Sequence, residues 1–275
     1  MRDILLIDNG SKRPEATLNL RAIAARLGEW LGERVRPVSL LHADAIPTQA
    51  LHGEPALLFE PFLRARLEAG VRDVVILPLF FGPSRAIGVF VPEILARLRE
   101  TSGPFEARIA PELCPLPEGE PALVEILLDH VQATAAARGL ARHRVILVDH
   151  GSPVPAVTAV RQWLAARLAE RLGATTPVDE AVMERRPGRE YDFNGELLDA
   201  RLRALAEEDP TTPIILAMLF LSPGRHAGPG GDIAEISDAV QRDEPRLRIH
   251  ATPLIGQHPR LIDLLARRVL DVRTR

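Results

Sequence analysis

The sequence has a single cysteine, Cys114, and that scarcity removes a class of chemistry at once. An internal disulfide is excluded, as is any four-cysteine zinc or iron–sulfur site within one chain. Metal chemistry must therefore rest on His and carboxylates. Excess positive charge is missing too: 34 Lys and Arg stand against 37 Asp and Glu, a net charge of -3, so no global basic field points to nucleic acid. No apolar run reaches the ~20 residues of a membrane span. With the first strand expected to open at Asp3 or Ile4, a charged leader and apolar signal segment are not expected either. A cytoplasmic protein without membrane or nucleic-acid partners is the expectation. The run Gly228-Pro229-Gly230-Gly231 lacks the Lys-Ser/Thr ending and the spacing of a phosphate loop, so no nucleotide is called for.

What the chain does have is an internal repeat. Ile4-Leu5-Leu6-Ile7-Asp8-Asn9-Gly10-Ser11 returns as Val145-Ile146-Leu147-Val148-Asp149-His150-Gly151-Ser152. Leu77 to Ala86 returns as Ala217 to His226. The offset is 141 residues at Asn9/His150 and 140 at both Asp44/Glu184 and Ala86/His226. Such a period is duplication of a whole domain and not a solenoid of short units. Two domains are expected, 1–139 and 140–275, and a chain that is 46% hydrophobic can fill both cores.

Short apolar runs alternate with longer amphipathic ones. Ile4 to Ile7, Val74 to Leu79, Val145 to Val148 and Ile214 to Phe220 read as central parallel strands buried on both faces. Ala16 to Leu31, Ala56 to Ala69, Ala156 to Leu172 and Gly195 to Glu207 carry apolar residues three and four apart, as helices do. The expected fold class is α/β: two tandem doubly wound parallel-sheet domains, a cleft between them, and ligands beyond the carboxyl ends of the strands.

Three residues of the second half converge on such ends. His150 follows the first strand of its half, Glu184 ends the extended stretch Val178 to Met183, and His226 follows the strand from Ile214. Two imidazoles and a carboxylate suit Fe, Co, Ni and Zn alike, and can also do acid–base work. The first half carries Asn9, Asp44 and Ala86 at the corresponding marks. Neither Asn nor Ala binds metal as imidazole does, so that half is expected to be a scaffold.

These residues also carry a family resemblance. Asp149 to Ser152, Met183-Glu184, Leu219 to His226 with Asp232-Ile233, and Pro253 to Pro259 resemble the class II tetrapyrrole chelatases. The similarity is to the long, two-domain sirohydrochlorin cobaltochelatases and ferrochelatases. The resemblance implies a lyase-type metal chelatase that inserts Co²⁺ or Fe²⁺ into sirohydrochlorin without ATP, toward cobalamin or siroheme. It implies His150 and His226 as metal ligands, one of them the base, with Glu184 as third ligand or proton acceptor. Since some long members keep their functional histidines in the amino-terminal half, roles carry over here by motif and not by position.

The implied substrate bears eight carboxylate arms, and Arg185, Arg186, Arg189 and Arg225 are candidates to grip them, with Ser152 nearby. Solvated surface is the other reading of the three loop arginines. Arg85, the counterpart of Arg225, survives in the half where Ala86 replaces the histidine, so these two either share a structural role or both line one inter-domain cleft. His42, two residues before Asp44, is a weak candidate to replace a lost ligand in the first half. His250 and His258 read as packing or capping residues, and Tyr191, Asp192 and Phe193 read as a local aromatic core more readily than as a cover for a flat ring. A non-catalytic metal or tetrapyrrole carrier with the same fold stays open beside the enzyme. The residues do not decide cobalt against iron or name the base. A monomer is expected, with a homodimer the other arrangement.

Overall fold

The computed structural model describes residues 2–273. In the first repeat β1 (Arg2–Asp8), β2 (Val35–Ser39), β3 (Asp73–Pro78) and β4 (Glu106–Ile109) form a parallel sheet in the order β2-β1-β3-β4. In the second, β5 (Arg144–Asp149), β6 (Val178–Val182), β7 (Ile214–Met218) and β8 (Ile249–Ala251) repeat that order as β6-β5-β7-β8. The expected architecture, two tandem parallel-sheet α/β domains, is what forms, with four strands in each sheet. The central strands are buried end to end, and every residue from Ile4 to Ile7 and from Val145 to Val148 is at most 1% exposed. Covering both faces accounts for their unbroken apolar runs.

The crossovers are helical: α1 (Pro14–Leu31), α2 (Phe59–Glu68) and α3 (Val91–Ser102) in the first repeat, and α5 (Pro155–Leu172), α6 (Leu198–Glu208) and α7 (Asp232–Asp243) in the second. Each repeat closes with a further helix, α4 (Pro121–Arg138) and α8 (Arg260–Arg273). Proline stands in the first turn of α1, α4 and α5, where its missing N–H has no helical partner to lose.

The compact units do not coincide with the sequence halves 1–139 and 140–275. One unit runs to Pro115 and takes back the chain from Pro259 onward, while the other spans Leu116–His258. The closing helices cause the difference. α4 buries Leu123, Val124, Ile126, Leu127, Leu128 and Val131 and packs on α5 and β7. α8 buries Leu261, Ile262, Leu264, Leu265, Val269 and Val272 and packs on α1 and β3. Each buried aliphatic side chain stabilises the unit it joins by about 1.5–3 kcal/mol. The unit therefore takes the helix that covers it, whichever repeat encodes that helix. Met1, Thr274 and Arg275 lie outside the described residues. No helix of the described chain is long and apolar enough to cross a membrane.

Candidate metal centre

In a sheet of order β6-β5-β7-β8 the crossovers leave β5 in opposite directions, and the crevice opens beyond its carboxyl end. His150 stands there. Past the paired strands the backbone ladder continues, with Met183 N–H donating to Asp149 O at 2.9 Å and Glu184 N–H to His150 O at 3.1 Å. This fixes Glu184 beside His150. Gly151 makes the turn possible: its φ is +92°, and a Cβ there would stand 2.0 Å from the Glu184 carbonyl oxygen.

The hydrogen bonds of His150 define its protons. Nδ1 lies 3.0 Å from the Gly151 carbonyl oxygen, which only accepts, so Nδ1 carries the hydrogen. In a neutral ring Nε2 then presents a lone pair, and it points at Glu184 Oε1 from 3.1 Å. Two acceptors hold that distance only with a cation between them, either a proton or a metal ion. Both side chains are open to solvent, 44% and 61% exposed.

His226 is held differently. Asp232, the first residue of α7, accepts from His226 Nδ1 at 2.6 Å, so in a neutral ring Nε2 is the nitrogen that presents a lone pair. The first turn of α7 also fastens the preceding loop, with Asp232 N–H donating to Arg225 O and Ile233 N–H to His226 O. The neighbouring Ala227 is buried in the core. The two imidazole rings lie 4.5 Å apart, inclined by 67°. A carboxylate behind a histidine is the usual means of orienting a metal-binding ring and raising its basicity. Among the described residues no three His, Cys, Asp or Glu side chains are arranged to hold a metal ion. The two rings are neighbours, and Glu184 lies against His150 and not between the two imidazoles as a third ligand.

The proposed substrate-facing residues divide. A hollow of about 300 Å³ is lined by His150, Gly151, Ser152, Pro153, Glu184, Arg185 and Arg186. Arg185 donates to Gly195 O at 3.0 Å and lies 3.4 Å from Asp192, so it also braces its own loop. Arg186 stacks over Tyr191, 5.8 Å from the ring centroid. Arg189 is exposed at the start of a 3-10 turn, Arg189–Asn194. Arg225 is 74% exposed, with Nε 3.8 Å from Asp232. The Ser152 hydroxyl accepts from Val154 N–H and shapes the turn into α5.

The weaker histidines have local partners or settings. His258 contacts Asp129 at 3.4 Å and stacks edge-on against His130. His250 lies on β8, where burial and then Arg138 and Arg248 lower its pKa. His42 is exposed with φ of +67°. Tyr191 and Phe193 pair at 6.4 Å.

One correspondence between the repeats requires correction. Leu40 N–H donates to Asp8 O and Leu41 N–H to Asn9 O, as Met183 and Glu184 do to Asp149 and His150. The position matching Glu184 is therefore Leu41, and Asp44 lies three residues on, exposed in a separate 3-10 turn. A constant offset fails because the loop lengths differ. Asn9 and Ala86 keep their places, and with Leu41 they line a hollow of about 310 Å³ without a metal ligand among the three. Around Ala86 the chain is helical, whereas the matching stretch after His226 is a Gly- and Pro-rich loop. Pro229 and its flanking glycines stop the helix and leave Asp232 at its start, within reach of His226.

Sequence reading passed over the role of Asp232, and also over Arg161 and Asn194, buried beneath the His150 turn at 2% and 1% exposure. A signal existed for Arg161, since its repeat partner is Leu20.

The family model CbiX matches residues 3–134 and 144–272. No curated protein matches the chain. Among solved structures, SirB from Bacillus subtilis with Fe³⁺ is similar at a TM-score of 0.71 and 16% identity, over 98% of this chain and 95% of that one. The sirohydrochlorin chelatase SirB from Bacillus subtilis subspecies spizizenii, in complex with cobalt, gives 0.67 and 16%, over 98% and 94%. CbiX, described as the terminal enzyme for siroheme biosynthesis in denitrifying bacteria, gives 0.60 and 19%, over 98% of each chain. At these identities the likeness establishes the shared fold.

Proposed function

The chain belongs to the CbiX family, and from that premise we propose that it inserts a divalent metal ion, Co²⁺ or Fe²⁺, into sirohydrochlorin. His150 Nε2, His226 Nε2 and Glu184 are the metal-handling set. The observation that carries the reading is the grouping at one strand-end crevice of His150, 3.1 Å from Glu184, with a second imidazole 4.5 Å away that Asp232 orients. The similar SirB structures carry iron in one case and cobalt in another, and this ligand set accepts both.

Insertion exchanges two pyrrolic N–H protons for one M²⁺, so the site has to deliver a metal and remove protons. Neutral imidazoles hold the ion weakly enough to release it and accept a proton once it leaves. Glu184, largely exposed, offsets the charge of the dication and passes a proton to water. No ATP step is needed. Arg185, Arg186, Arg189 and Arg225 are offered to the carboxylate arms of the substrate, Arg185 and Arg186 from the wall of the hollow itself.

Incubating the purified protein with Co²⁺ or Fe²⁺ and sirohydrochlorin, and following the absorbance change against the spontaneous rate, tests this. Acceleration with turnover supports the chelatase. Saturable binding with no acceleration would reject it in favour of a carrier.

A further inference from the structure

We infer that Arg161, acting through Asp149 and Asn194, is a positioning residue for the metal centre, an inference that rests on the metal site proposed above. Its guanidinium is buried, and each of its three nitrogens donates a hydrogen bond. Nη1 donates to Asp149 Oδ1 at 2.8 Å, Nε to Glu180 Oε2 at 3.1 Å and Nη2 to the Asn194 carbonyl at 2.6 Å. Asp149 Oδ1 also accepts from Gly151 N–H at 3.0 Å. Asn194 closes the other side, its Oδ1 accepting from Ser152 N–H and its Nδ2 donating to Ser152 O, both at 2.9 Å. The dipeptide His150-Gly151 is thus held at both flanks. Asn194 is also the far anchor of the loop that leaves Glu184, with a further bond from Nδ2 to Tyr191 O. One buried arginine thereby ties together the backbone carrying two of the three proposed ligands.

The duplicated fold provides an internal control. Strand register and the start of the following helix match Arg161, Glu180 and Asn194 to Leu20, Pro37 and Pro55 in the first repeat. The same architecture forms there with none of the three side chains. There Arg21 holds the corresponding loop by donating to the carbonyls of Leu51, Glu54 and Pro55. The fold therefore does not require a buried guanidinium, whose removal from water is costly even when neutralised by Asp149 and Glu180. The costly network occurs in the repeat that carries His150, Glu184 and His226, and is missing where Asn9, Leu41 and Ala86 stand instead. Precision of the ligand geometry is what the second repeat gains from it.

The test uses the full chain and Co²⁺ alone, with binding and coordination read from visible absorption, and circular dichroism as a check on folding. Arg161→Leu is combined with Asp149→Asn so that no buried carboxylate is stranded, and Asn194→Ala and Arg161→Lys are made separately. We expect the double variant and Asn194→Ala to bind Co²⁺ roughly ten- to hundredfold more weakly with an altered spectrum, and Arg161→Lys to recover part of both. Should the double variant not fold, the two single variants decide by the same criteria. Wild-type affinity and spectrum in the folded network variants would overturn the inference alone, provided that His150→Ala and His226→Ala do change them. A Co²⁺ spectrum indifferent to those two histidine variants would overturn the site reading itself.

Discussion

Asp232 accepts a 2.6 Å hydrogen bond from Nδ1 of His226, and this contact decides which nitrogen of the ring is left for chemistry. His150 reaches the same state through a neutral acceptor, the carbonyl of Gly151. The two imidazoles therefore differ in what orients them: a carboxylate stands behind His226, while a backbone carbonyl stands behind His150, which faces the exposed Glu184.

Removing that carboxylate should separate affinity from fold. Asp232→Ala is expected to weaken Co²⁺ binding roughly ten- to hundredfold. The lost charge in the first turn of α7 should cost only about 0.3–1 kcal/mol of stability. Co²⁺ titration beside urea unfolding checks both, and a large stability loss with unchanged affinity would deny Asp232 its orienting role.

The asymmetry between the repeats predicts a one-sided response. His150→Ala and His226→Ala should each lower the insertion rate by roughly 10²–10⁴, the range for removing a positioned acid–base group. Asn9→Ala in the first repeat should leave the rate within about twofold, since no imidazole accompanies it among the residues lining that crevice. Steady-state rates with sirohydrochlorin and either metal measure this, and equal losses in the two repeats would be incompatible with a single site.

Asp8 and Asp149 occupy equivalent strand ends, yet only Asp149 has an arginine. Burial pushes the Asp8 carboxyl up to about 6, partly opposed by its hydrogen bond with Ser39, and its Oδ1 has no partner. A carboxyl whose pKa is raised on folding binds more protons folded than unfolded. Its ionisation penalty is therefore absent below the unfolded value and grows as pH rises through about 6. Asp8→Asn should stabilise the protein by on the order of 1–3 kcal/mol at pH 7.5 and by almost nothing at pH 4. Urea midpoints at those two values test it, and a pH-independent effect would point to packing instead.

How much of this was readable beforehand depends on what kind of information each feature needs. The strands Ile4 to Ile7 and Val145 to Val148 were legible because burial on both faces leaves an unbroken apolar run. His150 and His226 were legible because the repeat shows Asn9 and Ala86 in their places. Leu41 was not, since its match to Glu184 is set by backbone pairing past the strand end, and loop lengths shift it away from a constant offset. The contact of Asp232 with His226 depends on how the loop between β7 and α7 folds back. The exchange of α4 and α8 between units leaves no trace in a tandem repeat, because either sheet could take either apolar helix face.

The corrected register makes a constructive prediction. In a background of His150→Ala and His226→Ala, adding Asn9→His and Leu41→Glu places an imidazole and a carboxylate on neighbouring backbone positions, as in His150 and Glu184. A weak Co²⁺ site should appear in the first repeat, weaker than the native one because Pro92 stands where Asp232 would orient a second ring and Leu20 where Arg161 would brace the turn. Replacing Leu41→Glu by Asp44→Glu in the same background should give no comparable site, because residue 44 lies in the 3-10 turn beyond the strand end. Equilibrium dialysis with Co²⁺ distinguishes the two variants. If the Asp44→Glu version bound the ion more tightly, the constant-offset alignment would be right and the register derived from the backbone ladder wrong.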